Sequence, residues 1–138
     1  MNKRAYFRKY LTRVDEELDK FYPSPRQVAR AHTIINKCIF DSVLRKPRLI
    51  IKYIPDAWGV CNAELDDNTL PYYAPRCTSI MLNCSFRSKR HFIEVLAHEM
   101  VHQYQVEMLN RIDHGQSFWA WREKFKRYNL KLRISYPR

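Results

Sequence analysis

The amino-acid sequence predicts an α+β domain: two N-terminal helices, a small, mostly antiparallel three-stranded sheet, a third helix carrying a histidine motif, and a C-terminal helix. Three observations lead there. Apolar residues recur at intervals of three and four over the first 44 positions, the mark of helices with one buried face. Three short runs rich in β-branched and aromatic residues follow, parted by polar and proline-containing segments. The resulting order, α-α-β-β-β-α-α, groups the strands together, which is the arrangement of α+β domains.

Residues 5–22 place Phe7, Tyr10, Leu11, Val14, Leu18 and Phe21 on one face, and the Pro23-Ser24-Pro25 break ends that helix. Ser24 suits an N-cap and Pro25 the first helical position, so a second helix is expected over 25–44 through Val28, Ala31, Ile35, Ile39 and Leu44, stopped by Pro47. RLIIKYI at 48–54 reads as a strand. WGVCNAEL and CTSIMLN read as two more, separated by the turn-forming DDNTLPYYAPR. A helix over 89–109, the polar NRIDHG, and a helix over 116–128 ending near Asn129 complete the domain. The closing KLRISYPR alternates Leu132, Ile134 and Tyr136, as a short edge strand or a bound tail would.

With 138 residues, 46% of them apolar and 28% charged, the chain is read as a single domain over 1–138 that buries a sizeable core. No run approaches the roughly 18 apolar residues of a membrane-spanning helix, and MNKRAYFRKYLTRVDEELDK lacks the apolar stretch of a secretory signal. An intracellular monomer without membrane contact is expected. Cys38, Cys61, Cys77 and Cys84 form no C-x-x-C pair, so they are read as reduced thiols, mostly buried, and not as a disulfide framework.

The net charge is +11, from 25 Lys and Arg against 14 Asp and Glu. The basic residues gather at Lys3–Arg13, in RSKRH at 87–91, and after residue 121, where Arg122, Lys124, Lys126, Arg127, Lys131, Arg133 and Arg138 face only Glu123. Such a surface favours a polyanionic partner, nucleic acid first, although solvated basic faces also occur without one.

VLAHEMVHQY, residues 95–104, contains His98, Glu99 and His102 as H-E-x-x-H. Positions i and i+4 share a helix face, about 5–6 Å apart, so both histidines can reach one metal ion. A zinc with three protein ligands keeps a fourth position for water and lowers its pKa to about 7. Glu99, one step round the helix, can then serve as general base without being a ligand. Chance would produce the motif in roughly one such sequence in a hundred. For a third ligand, His114 in DHGQSF follows the break after the motif helix, whereas His32 sits within an early amphipathic helix and His91 within a basic run. The only glycines are Gly59 and Gly115, and Gly115 directly after His114 suits a tight turn.

IEVLAHEMVHQY followed by DHGQSFWAW resembles the active-site helix and H-G-x-x-F segment of the SprT-like zinc metalloproteases, the group that includes Spartan. Glu94 stands one turn before His98, as in the family's E-x-x-x-H-E-x-x-H, Met100 and Val101 fit, and Phe118 matches the aromatic after H-G. WGVCNAEL and the I-x-L-N of Ile80–Asn83 resemble the upstream strands, so the likeness covers about residues 45–125. The resemblance implies a zincin-like metalloprotease core in which His98, His102 and His114 bind Zn2+ and Glu99 is the base. It further implies proteolysis of DNA-associated or DNA-crosslinked proteins, in the cytoplasm, nucleoid or nucleus. No C-terminal zinc ribbon of the kind many members carry is expected here, and the basic tail after Phe118, in a similar position, is a candidate to substitute for it electrostatically. The alternative reading is a non-catalytic basic DNA-binding module with a structural or vestigial zinc. Three good ligands without a fourth favour an open, catalytic position.

Further residues carry two readings each. Glu94 is an acceptor for a ligand histidine or an ordinary carboxylate, and Asp113 the same or a turn residue. CTSIMLN is an edge strand that accepts a peptide by strand addition, or a core strand. Trp58, Trp119, Trp121, Tyr72, Tyr73 and Tyr128 either stack on bases or pack in the core, with one of Trp119 and Trp121 expected near the cleft. Tyr104 is a candidate donor to a developing oxyanion.

Overall fold

Ser24 begins the second helix as expected: its Oγ accepts from the Gln27 backbone N–H at 3.1 Å, and Gln27 Oε1 accepts from the Ser24 N–H at 2.8 Å. This capping box, with Pro25 in the first turn, starts α2 (Pro25–Ile39). A computed structural model of the protein describes residues 2–12, 20–66 and 74–135. Before α2 runs α1 (Lys3–Thr12), which buries Phe7, Tyr10 and Leu11. The first helix does not extend to residue 22. Phe21 is extended and bridges Phe86 in both directions at 2.7 and 2.8 Å, as the approach to Pro23 favours. Val14 and Leu18 lie outside the described residues.

α2 also ends before residue 44. Asp41 and Ser42 take left-handed conformations (φ 52° and 63°), and Asn36 clamps Leu44 through its side chain, accepting from Leu44 N–H at 3.1 Å and donating to its carbonyl at 3.0 Å. Leu44 therefore enters the core from a turn. The apolar spacing was right about burial and silent about the turn.

The strands are β1 (Arg48–Ile51), β2 (Gly59–Glu64) and β3 (Arg76–Leu82), in spatial order β1-β3-β2. β1 runs parallel to β3 and β2 antiparallel to it, with a bulge at Asn62/Ala63, so the sheet is mixed and not mostly antiparallel. CTSIMLN forms the central strand, where Ile80 and Leu82 are fully buried, and cannot accept a peptide at its edges. Among the described residues the strand with an unpaired edge beside the motif helix is β2.

That helix, α3 (Lys89–Leu109), has the expected bounds. Ser88 Oγ caps it by accepting from His91 N–H at 3.0 Å, and left-handed Asn110 (φ 51°) closes it. It packs on β2 and β3, on α2, and on the segment that follows it. Apart from half-buried Tyr104, residues from His91 to Val106 are buried on all its sides, which is why its sequence shows no single apolar stripe. In place of one helix over 116–128 stand α4 (Gln116–Trp119) and α5 (Arg122–Arg127). The break lets Trp121 turn onto Phe40 and Tyr104, with ring centroids at 4.6 and 4.9 Å.

The final described stretch forms no strand. Leu130 and Leu132 are buried and Ile134 is exposed, so the alternation marks a bound tail; Tyr136 lies outside the described residues. One buried cluster of apolar residues runs from Phe7 in α1 to Leu132 in this tail. No helix among the described residues is long and apolar enough to cross a membrane.

Gly59 opens β2 at the closest approach of sheet and motif helix. A Cβ there would meet Val95 Cγ1 at 3.0 Å, Glu99 Cγ at 3.2 Å and Leu82 Cδ2 at 3.3 Å. Its backbone φ is not positive, so the need is for space and not for a left-handed turn. Gly59→Ala is expected to destabilise the protein by about 1–3 kcal/mol through overpacking, read as a lowered melting temperature. An unchanged melting curve would show that the strand moves off the helix without cost.

Candidate metal centre

His98 and His102 stand one turn apart on α3, with ring centroids 4.9 Å apart. The chain leaves α3 at Asn110 and turns back, bringing His114 Nε2 to 3.2 Å from His102 Nε2 and its ring to 5.4 Å from that of His98. One ligand atom from each lies within 4.8 Å of the others, and this is the one His/Cys/Asp/Glu group able to hold a metal among the described residues. The four cysteines are free, with Cys38 and Cys77 buried, Cys61 half-buried and Cys84 exposed. Phe118, fully buried, lies beneath all three imidazoles at 4.7–5.2 Å between centroids.

The turn that delivers His114 is not made by a left-handed glycine. Gly115 has φ −87°, and its N–H donates to Asp113 Oδ1 at 2.9 Å. Asp113 also accepts from Gln105 Nε2 at 3.3 Å, so its role is to hold the turn.

The far side of each α3 histidine decides which nitrogen faces the cluster. His98 Nδ1 lies 2.7 Å from the Arg133 carbonyl and His102 Nδ1 lies 2.8 Å from Gln105 Oε1. Both partners are acceptors, so both Nδ1 atoms carry the proton and both Nε2 lone pairs point inward. Burial lowers the His102 pKa, and burial followed by the neighbouring His102 lowers that of His98 to about 3, so both rings are neutral near pH ~7. An inward lone pair on His102 Nε2 facing another ring nitrogen at 3.2 Å requires a proton or a cation between them. Two nitrogens each about 2.0–2.1 Å from a tetrahedral zinc stand about 3.3 Å apart. The donor set fits a zinc ion.

Glu99 is buried beside the cluster, with Oε2 4.0 Å from His98 Nε2. Burial raises its pKa to about 8, opposed by a hydrogen bond from the Cys61 backbone N–H. It lines a cleft of about 540 Å³ that β2 bounds on one side through Gly59, Val60 and Cys61, and that Ile134 and Ser135 of the tail bound on another.

Glu94 engages the tail. Its Oε2 accepts from the Lys131 backbone N–H at 2.5 Å, which pins the tail two residues before the carbonyl that receives His98. Tyr104 is no oxyanion donor: it faces Phe40 and Trp121, away from the cleft. Trp119 and Trp121 pack against the core and neither lines the cleft, while Trp58 does, stacked on Phe86. Tyr128 is buried, and Tyr72 and Tyr73 lie outside the described residues. His32 is fully buried and paired with Gln103 at 2.9 Å, and His91 Nδ1 accepts from Arg87 N–H at 3.0 Å.

Sequence reading missed Gln105. It is fully buried, with its oxygen on His102 Nδ1 and its amide nitrogen donating to Ser117 Oγ at 2.9 Å and to Asp113. A glutamine one turn past the second motif histidine was the available signal, since a buried amide needs partners. Gln105→Leu is expected to weaken metal binding about 10–100-fold while the fold persists. Competition with a fluorescent zinc chelator measures this, and wild-type affinity in the variant would show that His102 is oriented without it.

The SprT-like family model matches residues 29–136, which include α3, the turn to His114 and all of the described tail. No curated protein matches the chain.

Proposed function

The chain belongs to the SprT-like family, and from that membership and the three-imidazole cluster we propose that it is a zinc-dependent endopeptidase acting on DNA-associated or DNA-crosslinked proteins. The observation that carries the reading is the division of labour on α3. Two neutral histidines and His114 turn Nε2 atoms inward, while Glu99 stands beside them without joining the ligand group. A structural zinc takes four protein ligands, and among the described residues the cluster has three.

In this reading His98, His102 and His114 hold zinc, which supplies Lewis acidity to a water and to the scissile carbonyl. Glu99, as the carboxylate, takes a proton from the attacking water at an Oε atom and returns it to the leaving amine. The hydrogen bond from Cys61 N–H fixes the carboxyl against β2. The same strand offers its open edge to the cleft, so an extended substrate chain pairs with Gly59–Glu64. DNA enters through the charge of +11 and the family resemblance.

The test is metal analysis of the purified protein together with cleavage of a DNA-binding protein, with and without single-stranded DNA. One zinc per chain and DNA-stimulated cleavage are expected. Zinc without cleavage of any substrate would instead support the non-catalytic binding module.

A further inference from the structure

A concentration of exposed cations lies away from the cleft. It lines a separate groove of about 750 Å³ between the first turn of α3, α5 and the tail, where Arg90, Arg122, Lys126, Lys131 and Arg133 stand with the acids Glu94 and Glu123. We propose that this groove seats the sugar-phosphate backbone of a nucleic-acid strand. The proposal deepens the reading above by giving its DNA partner a place on the surface.

Several basic residues outside the groove are engaged within the protein. Lys3 and Lys124 both pair with Asp41, at 3.3 and 3.6 Å, and Arg76 pairs with Glu64 at 3.2 Å. Lys89 donates to the Tyr10 carbonyl at 2.8 Å and lies over the Tyr10 ring. In the groove Arg90 holds the Asn129 carbonyl, and Arg122, Lys126, Lys131 and Arg133 are exposed. Of the two acids, Glu94 is buried and engaged by the Lys131 N–H, so only Glu123 opposes them at the surface.

The shape and lining select the partner. The surface is concave, and its apolar residues, Leu130 and Leu132, are buried, so nothing is presented for insertion into a bilayer. Among the described residues no aromatic lines the groove, so binding is through phosphates, without sequence preference. Position supplies the link to function. Arg133 lines the groove and the next two residues, Ile134 and Ser135, line the catalytic cleft, so a strand in the groove lies beside any protein it carries.

The test is fluorescence anisotropy with a labelled mixed-sequence single-stranded oligonucleotide and its duplex over a salt series, using full-length protein. Each phosphate neutralised contributes about −0.7 to −0.9 to the slope of log K against log salt, so four exposed cations set an expected slope of about −3. Arg122→Gln/Lys126→Gln is expected to lose about tenfold or more in affinity and to flatten the slope by roughly 1.5. Arg26→Gln/Arg30→Gln, which removes equal charge from the exposed face of α2, is expected to change neither. Equal losses from both pairs, or none from the groove pair, would overturn the assignment, as would a preference for phosphatidylserine vesicles over either oligonucleotide. Zinc content and cleavage of DNA-free casein are measured in the same proteins. Loss of DNA with casein cleavage retained supports the groove. Groove-dependent DNA binding in a wild-type protein that cleaves nothing also supports it and removes the protease reading alone.

Discussion

Glu99→Gln is expected to lower peptidase turnover by about 10²–10⁴-fold, the usual worth of a general base, with bound zinc unchanged. The substitution isolates the proton transfer. Glu99 is not in the ligand group, so all three imidazoles remain. Nor is the fold disturbed: burial raises the carboxyl to about 8, so in metal-free protein near pH ~7 it is mostly the neutral acid, which an amide matches in shape. The Cys61 N–H still finds an oxygen acceptor. Cleavage assays beside zinc analysis and a melting curve give the three readouts. A variant that still turns over substrate, with contaminating proteases excluded, removes Glu99 from the mechanism.

His114→Ala carries the other large effect. His98 and His102 sit on a buried helix with their outer nitrogens already engaged, whereas His114 is exposed in the turn after it. Its loss should therefore leave the metal-free fold intact and reduce zinc affinity by more than the about 10–100-fold that outer partners contribute. A ligand at 100 times its Kd raises stability by about 2.7 kcal/mol, so zinc should raise the melting temperature of the wild type and hardly that of the variant. Equal shifts in both proteins would mean that the third ligand lies elsewhere.

What could be read from the sequence was what neighbouring residues settle among themselves. The Ser24 N-cap, the bounds of α3 and the pairing of His98 with His102 each depend on positions no more than a few residues apart. His114 was legible because its turn is short and follows directly on α3. The failures share the opposite property. The parallel pairing of Arg48–Ile51 with Ser79–Leu82 joins segments about thirty residues apart, and no periodicity encodes its direction. Apolar spacing ran through Leu44 because a residue can be buried equally well from a turn. Glu94 was rightly placed near His98 by helical spacing, but its partner, Lys131, comes from the other end of the chain.

The contact from Arg133 to His98 uses a main-chain oxygen, which every amino acid carries. The orientation of the imidazole is therefore independent of which side chain stands at position 133, and a comparison of side chains would not reveal this role. Chain length is what matters there. A protein cut after Tyr128 would keep the three imidazoles, Glu99 and every described α-helix, yet lose the oxygen that decides which nitrogen of His98 faces the cluster. The working unit of this protein thus extends past its last motif, through a stretch whose path alone orients His98.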